Sequence, residues 1–208
     1  MGRLPNVNSV FINCPFDDDF FSLLKPLLFT VIYSGFEPKL SSTKDSSKPR
    51  LETIVELMKG SLYSIHDLSR VEPNSKGLPR FNMPFEFGID YGLKISGNKQ
   101  WKKKEMLVFE RSPYEAKPIL SDTGGFDFSA HNNKQDHIVK SVRNWLSNKN
   151  PSIPKDKAIF QLYLKFSHDY AIVCKEEGYN PDRFDEQPID SLIIEIKKWI
   201  EANKQSNA

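Results

Sequence analysis

Short apolar runs alternate with amphipathic stretches along most of this chain. Ser-Val-Phe-Ile-Asn-Cys at 9–14 stops at Pro15 and predicts a buried first strand, and 17–33 carries apolar residues at helical spacing, closed by Gly35. Residues 36–40 predict a second strand. The Ser- and Lys-rich 41–49 reads as a loop, 51–59 as a helix ended by Gly60, and 61–68 as a third strand. A helix beginning near Asn82 follows. Glu-Met-Leu-Val-Phe-Glu at 105–110 predicts a fourth strand, 125–130 a fifth, and 137–146 an amphipathic helix.

Strands separated by helical stretches are the mark of parallel βαβ units. The predicted class is therefore α/β, a flavodoxin-like parallel sheet of about five strands flanked by helices, over residues 1–149. The texture changes at Asn150-Pro-Ser-Ile-Pro154, which reads as a linker. Beyond it, 155–177 and 188–202 predict a C-terminal helical hairpin over 150–208, with frayed last residues. Phe160, Tyr163, Leu164, Ser167 and Ala171 recur at helical spacing, as do Leu192, Ile193, Ile196, Trp199 and Ile200. Such stripes need a surface, either the core or a second subunit, so a homo-oligomer or a partner effector protein is expected.

Composition narrows the function classes. The 208 residues are 38% hydrophobic, enough to bury a full core, and 29 Lys and Arg against 27 Asp and Glu leave a net charge of +2. That balance gives no general pull toward nucleic acid or an anionic membrane. The longest apolar run, 23–33, is broken by Lys25 and Pro26 and is too short to span a bilayer. The start lacks a basic segment followed by an apolar core, and Asn6 stands where a myristoylation signal carries Ser or Thr. Cys14 and Cys174 form no metal-spaced set. A cytoplasmic protein with no membrane or nucleic-acid partner is expected.

The candidate chemistry lies at predicted strand ends, where ligands of parallel sheets bind. Three polar groups fall there: 13–17, 66–70 and 110–114. Their convergence requires the first and third strands to be neighbours. Asp67 ends the third strand, and Glu86 sits near the start of the next helix, with Asn82 as its expected N-cap and Pro84 in its first turn. There the helix dipole favours an ionised carboxylate, which suits a nucleophile. Gly88 and Gly92 each cost the helix roughly 1 kcal/mol relative to Ala, so close packing against the sheet or a ligand is expected. The bland alternatives are a solvated first-turn acid for Glu86 and an ordinary turn cap for Asp67.

Other candidates read as structural. His66 points to the strand face opposite Asp67, Asp17-Asp18-Asp19 reads as helix-capping acids, and Cys14 as a buried thiol. Trp101-Lys-Lys-Lys104 reads as a solvated turn and Gly124-Gly125 as a flexible one. His131 and His137 have no third ligand in register, so no metal site is expected.

Asp67-Leu-Ser followed by Asn82-Met-Pro-Phe-Glu-Phe-Gly88, together with Phe11-Ile-Asn-Cys-Pro-Phe16, resembles the TIR-like and nucleoside 2-deoxyribosyltransferase-like superfamily over about residues 9–147. The resemblance implies cleavage or transfer of an N-ribosyl bond in NAD or a related nucleotide, often in bacterial defence against phage. Glu86 would then be catalytic at the anomeric carbon and Asp67 would hold the sugar. Phe11, Asn13, Pro15 and Phe16 would border the base, and Asn82 would complete the substrate-binding set. NAD would be substrate rather than cofactor. Arg70 and Arg80 are candidate phosphate contacts, with solvated arginines as the alternative. The connection holding Glu72, Pro73, Gly77 and Pro79 is longer than in many TIR-like proteins. The alternatives are a nucleoside 2-deoxyribosyltransferase and a non-catalytic nucleotide-signal module.

Overall fold

The computed structural model describes residues 4–41, 49–70, 80–123, 125–186 and 188–205. In chain order the elements are β1 (Asn6–Asn13), α1 (Asp18–Tyr33), β2 (Glu37–Lys39), α2 (Arg50–Gly60), β3 (Ser61–Asp67) and α3 (Asn82–Ile95). Then come β4 (Glu105–Glu110), β5 (Phe128–Ala130), α4 (Gln135–Ser147), α5 (Asp156–Glu176) and α6 (Ile189–Gln205). They divide into two compact units, residues 1–15 with 36–133, and residues 16–35 with 134–208.

The first unit holds the sheet. All five strands are parallel, as the alternation predicts, and their order β2-β1-β3-β4-β5 is flavodoxin-like. β1 and β3 are hydrogen-bonded neighbours, with Asn13 opposite His66. Asp67 lies opposite Phe109, and Glu110 opposite Ala130. The carboxyl ends of four strands therefore line up at one edge. Strand order reverses between β1 and β3, and the crevice outside such a reversal is where open α/β sheets take their ligands. The later half of β1 is wholly buried, as expected of a strand in a parallel sheet.

α2 and α3 pack on this sheet. Phe11, Ile54 and Met58 form one buried group, joined by Leu57, Ile89 and Leu93, and Leu68, Phe87 and Val108 form a second. Each fully buried side chain of this size contributes ~1.5–3 kcal/mol of hydrophobic stabilisation. Among the described residues a Cβ at Gly88 or Gly92 would meet nothing within 4 Å, so the close packing expected there does not come from them.

The second unit is helical. α1 is buried on almost every side, from Phe20 through Val31, and packs with α4, α5 and α6. Asp17 caps it, its Oδ1 accepting from the Phe20 N–H at 3.0 Å, as its position predicts. Pro26 sits inside α1 and cannot donate to the Ser22 carbonyl. The Gln135 side-chain amide takes that vacancy, donating to Ser22 O at 2.9 Å. Buried Lys25 pairs with Asp182 at 2.7 Å and donates to the Pro181 carbonyl.

α5 and α6 form the expected C-terminal pair, but the α5 stripe is displaced. Ile159, Tyr163, Phe166, Tyr170 and Cys174 are buried, whereas Leu164 is 42% exposed. Both stripes run at helical spacing, and the one that wins removes four large side chains and Cys174 from water instead of spending positions on Ser167 and Ala171. Leu192, Ile196 and Ile200 of α6 are buried as predicted. Among the described residues no helix is long and apolar enough to cross a membrane.

Candidate functional site at the carboxyl edge of the sheet

The carboxyl edge is built around a chain of buried polar groups that starts at Asn13. Phe11 and Asn13 share a strand face by the two-residue period, so Asn13 follows Phe11 toward the helices. Its Nδ2 donates to the Met83 carbonyl in the first turn of α3 and to His66 Nδ1, both at 3.1 Å. A carbonyl can only accept, which fixes the amide orientation and makes Nδ1 the acceptor of the ring. His66 therefore carries its proton on Nε2 and donates it to Asp90 Oδ2 at 3.1 Å.

Asp90 Oδ1 in turn pairs with Lys104 Nζ at 3.0 Å, and that ammonium also donates to the carbonyls of Met58 and Ser61. His66, Asp90 and Lys104 are all completely buried. Burial alone pushes the Asp90 carboxyl up, but the hydrogen bond from His66 and the charge of Lys104 outweigh it and hold the group below the usual range. Lys104 is shifted down by burial, with Asp90 opposing. Lys104 is thus no part of a solvated turn. The turn ends at Lys103, and Lys104 enters the core because Asp90 and two strand and helix carbonyls wait there. His66 is structural and faces away from Asp67, as strand alternation predicts.

Glu86 lies between the two points where this network grips α3, three residues after Met83 and four before Asp90. It is 7% exposed and has no hydrogen-bond partner among the described residues. Burial pushes its carboxyl above the usual range, with Arg50 pulling it back. Two expectations change here. α3 begins one residue earlier than a cap at Asn82 allows: Phe81, already in the helical region at φ −92°, takes the cap position without a side-chain bond, and Asn82 is an exposed first helical residue. Glu86 then falls beyond the first turn, where the dipole acts. Desolvation, not the dipole, governs its charge.

Asp67 is completely buried. Its Oδ1 accepts from the Ser69 N–H at 3.0 Å and from the Ser69 hydroxyl at 2.5 Å, an Asx-type turn. Its Oδ2 lies 3.3 Å from Nε2 of His131, a residue sequence reasoning treated only as half of a metal pair. The Asn133 N–H donates to His131 Nδ1 at 3.0 Å, so Nε2 carries the proton and faces the carboxylate. The position of His131, directly after a predicted strand, was the available signal.

The remaining predicted residues separate. Phe11 is buried in the core beside Ile54 and Met58, edge-on to His66 at 5.9 Å between ring centres. Pro15 is buried at the end of the first unit's opening segment. Phe16 belongs to the second unit, where it stacks on Phe184 at 5.9 Å. Arg70 is half-buried at the end of its segment and Arg80 is exposed. Glu72, Pro73, Gly77 and Pro79, with Gly124, lie outside the described residues. Phe87 sits among His66, Tyr91 and Phe126, whereas Phe85 is exposed.

Glu110 completes the edge. It is buried, with Oε1 accepting from the Tyr114 N–H at 2.8 Å and Oε2 from the Ala116 N–H at 3.1 Å. The site is thus a parallel-sheet edge carrying one desolvated carboxyl and several committed ones. No family model, curated protein or solved structure matches this chain.

Proposed function

We propose that this chain cleaves the N-ribosyl bond of NAD or a related nucleotide, with the Glu86 carboxylate meeting the anomeric carbon. One observation carries the reading: Glu86 is buried without a hydrogen-bond partner among the described residues, on a helix anchored to β1 and β3 beside the sheet's reversal point. A desolvated carboxylate gains most from a positive charge that develops beside it. Cleavage of an N-ribosyl bond creates that charge at C1′ and nowhere in the ground state on the same carbon.

In the step, the C1′–N bond breaks and its electron pair leaves with the base nitrogen. For NAD that nitrogen is cationic beforehand, so nicotinamide departs neutral and needs no proton from the protein. Glu86 stabilises the C1′ cation, a water oxygen bonds to C1′, and the water's proton passes to solvent, giving ADP-ribose. A hydroxyl of the same molecule in place of water would give a cyclised product. Asp67 contributes through the Ser69 turn that it holds at the end of β3. By its resemblance to TIR-like proteins the activity belongs to defence against phage.

The test incubates the protein and Glu86→Gln with NAD and with deoxynucleosides, at low and high protein concentration, and follows base release by chromatography. Release from NAD by the unaltered protein alone supports the reading. Release from deoxynucleosides only would make it a deoxyribosyltransferase. Equal release by both proteins would remove Glu86 from the chemistry, and release by neither would leave a binding module.

A further inference from the structure

Tyr114 has a backbone that its side chain disfavours. Its φ is +67°, in the left-handed region where a Cβ crowds the following carbonyl. Every other positive-φ position among the described residues is glycine or asparagine: Gly35, Gly97, Gly178, Asn132 and Asn133. Tyr114 is the exception, and its side chain is 76% exposed, so packing does not repay the strain.

The strained position is actively held. The buried Glu110 carboxylate grips the N–H groups of Tyr114 and Ala116, and Glu115 accepts from Arg111 and from the Ser112 N–H. Further along the same connection, Leu120 packs against the buried group of Leu68, Phe87 and Val108, as does Met83 of α3. A loop at the carboxyl end of β4, the strand beside β3, thus presents an aromatic ring to solvent at the carboxyl edge of the sheet. Backbone strain kept at a ligand-binding edge is the usual companion of function.

We propose that Tyr114 is the stacking platform for the planar ring of the ligand, nucleobase or nicotinamide, and that Glu110 is the positioning residue that holds it. This deepens the N-ribosyl reading above and rests on it for the ligand class. The consequence is a trade between stability and binding at one residue. Glycine at 114 relieves the strain and removes the ring, whereas phenylalanine keeps both.

The experiment measures NAD binding by calorimetry in the Glu86→Gln background, so that turnover does not interfere, alongside KM and kcat in the unaltered background and thermal melting. Tyr114→Gly is expected to raise the melting temperature by about 2 °C and to weaken NAD binding about tenfold. KM rises correspondingly and kcat is little changed. Tyr114→Phe is expected to bind within about twofold of the parent. If NAD is cleaved but Tyr114→Gly changes neither the dissociation constant nor KM, the stacking role is overturned and the cleavage reading stands. If NAD binds in a Tyr114-dependent way without being cleaved, stacking stands and cleavage falls. If no NAD binds at all, both are overturned.

Discussion

The Asn13 side-chain amide donates to the Met83 carbonyl across 3.1 Å, tying the last residue of β1 to the first turn of α3. Its second amide hydrogen reaches His66, and through His66 the tie continues to Asp90, one turn beyond Glu86. The helix is thus clamped at two places around its candidate catalytic carboxyl. Both clamps fix where Glu86 stands relative to the strand ends.

Removal of Glu86's charge should abolish chemistry and stabilise the fold. Glu86→Gln is expected to lower base release by at least ~100-fold, the loss typical when a charge-stabilising group is removed. Burial raises the folded-state pKa of Glu86 above its unfolded value, so folding loses stability as pH rises from the unfolded toward the folded pKa, and the penalty persists above it. The variant should therefore melt higher than the parent at pH 7 and equally at a pH below the normal carboxyl range. Melting curves at the two pH values check this.

The buried ion pair should respond steeply to loss of one member. Lys104→Met leaves Asp90 charged in the core and two carbonyls short of a donor, and is expected to cost ~3–5 kcal/mol. Adding Asp90→Asn should recover part of that loss. A double-mutant cycle by urea denaturation gives the coupling.

Asp90 also sets a pH limit. Its folded-state pKa lies below the unfolded value, so its stabilisation is complete above the unfolded pKa and disappears as pH falls through the folded one. Asp90→Asn is expected to flatten the acid limb of the stability curve while lowering the neutral plateau. Denaturant titrations from neutral pH down to strongly acidic pH check it.

The α3 glycines should be replaceable at a gain. Gly88→Ala and Gly92→Ala meet nothing within 4 Å among the described residues, and each is expected to stabilise by ~0.5–1 kcal/mol. Urea midpoints measure the gain. A fall in NAD affinity in the same variants would mean that a ligand, not the sheet, approaches these positions.

Gln135 should be coupled to Pro26. Gln135→Ala strands the Ser22 carbonyl and is expected to cost ~1 kcal/mol. In a Pro26→Ala background the new N–H serves that carbonyl, and the cost of losing Gln135 should largely vanish. The interaction energy from the four proteins is the readout.

The βαβ alternation was legible because strands 9–14, 61–68 and 105–110 are short apolar runs bounded by breakers, a signal local to each segment. Asp67 was legible at a strand end because the apolar run 61–68 stops there, and Glu86 near a helix start because Pro84 marks one. His131 and Lys104 were not. Their partners, Asp67 and Asp90, lie 64 and 14 residues away in sequence, and nothing local distinguishes a buried lysine from a solvated one. The displaced α5 stripe failed for a related reason, since periodicity gives the spacing of a buried face but not which of two registers meets a neighbour.

By itself the sequence determined the element order, the parallel class of the sheet and the capping role of Asp17, because these follow from short-range periodicity and local hydrogen bonds. Tertiary structure alone decided which polar groups lose their water. It committed Asp67 to Ser69 and faced it with His131, drew Lys104 in to meet Asp90, and left Glu86 desolvated without a hydrogen-bond partner among the described residues. Desolvation depends on everything packed around a group, and that is the one property no single stretch of chain can encode.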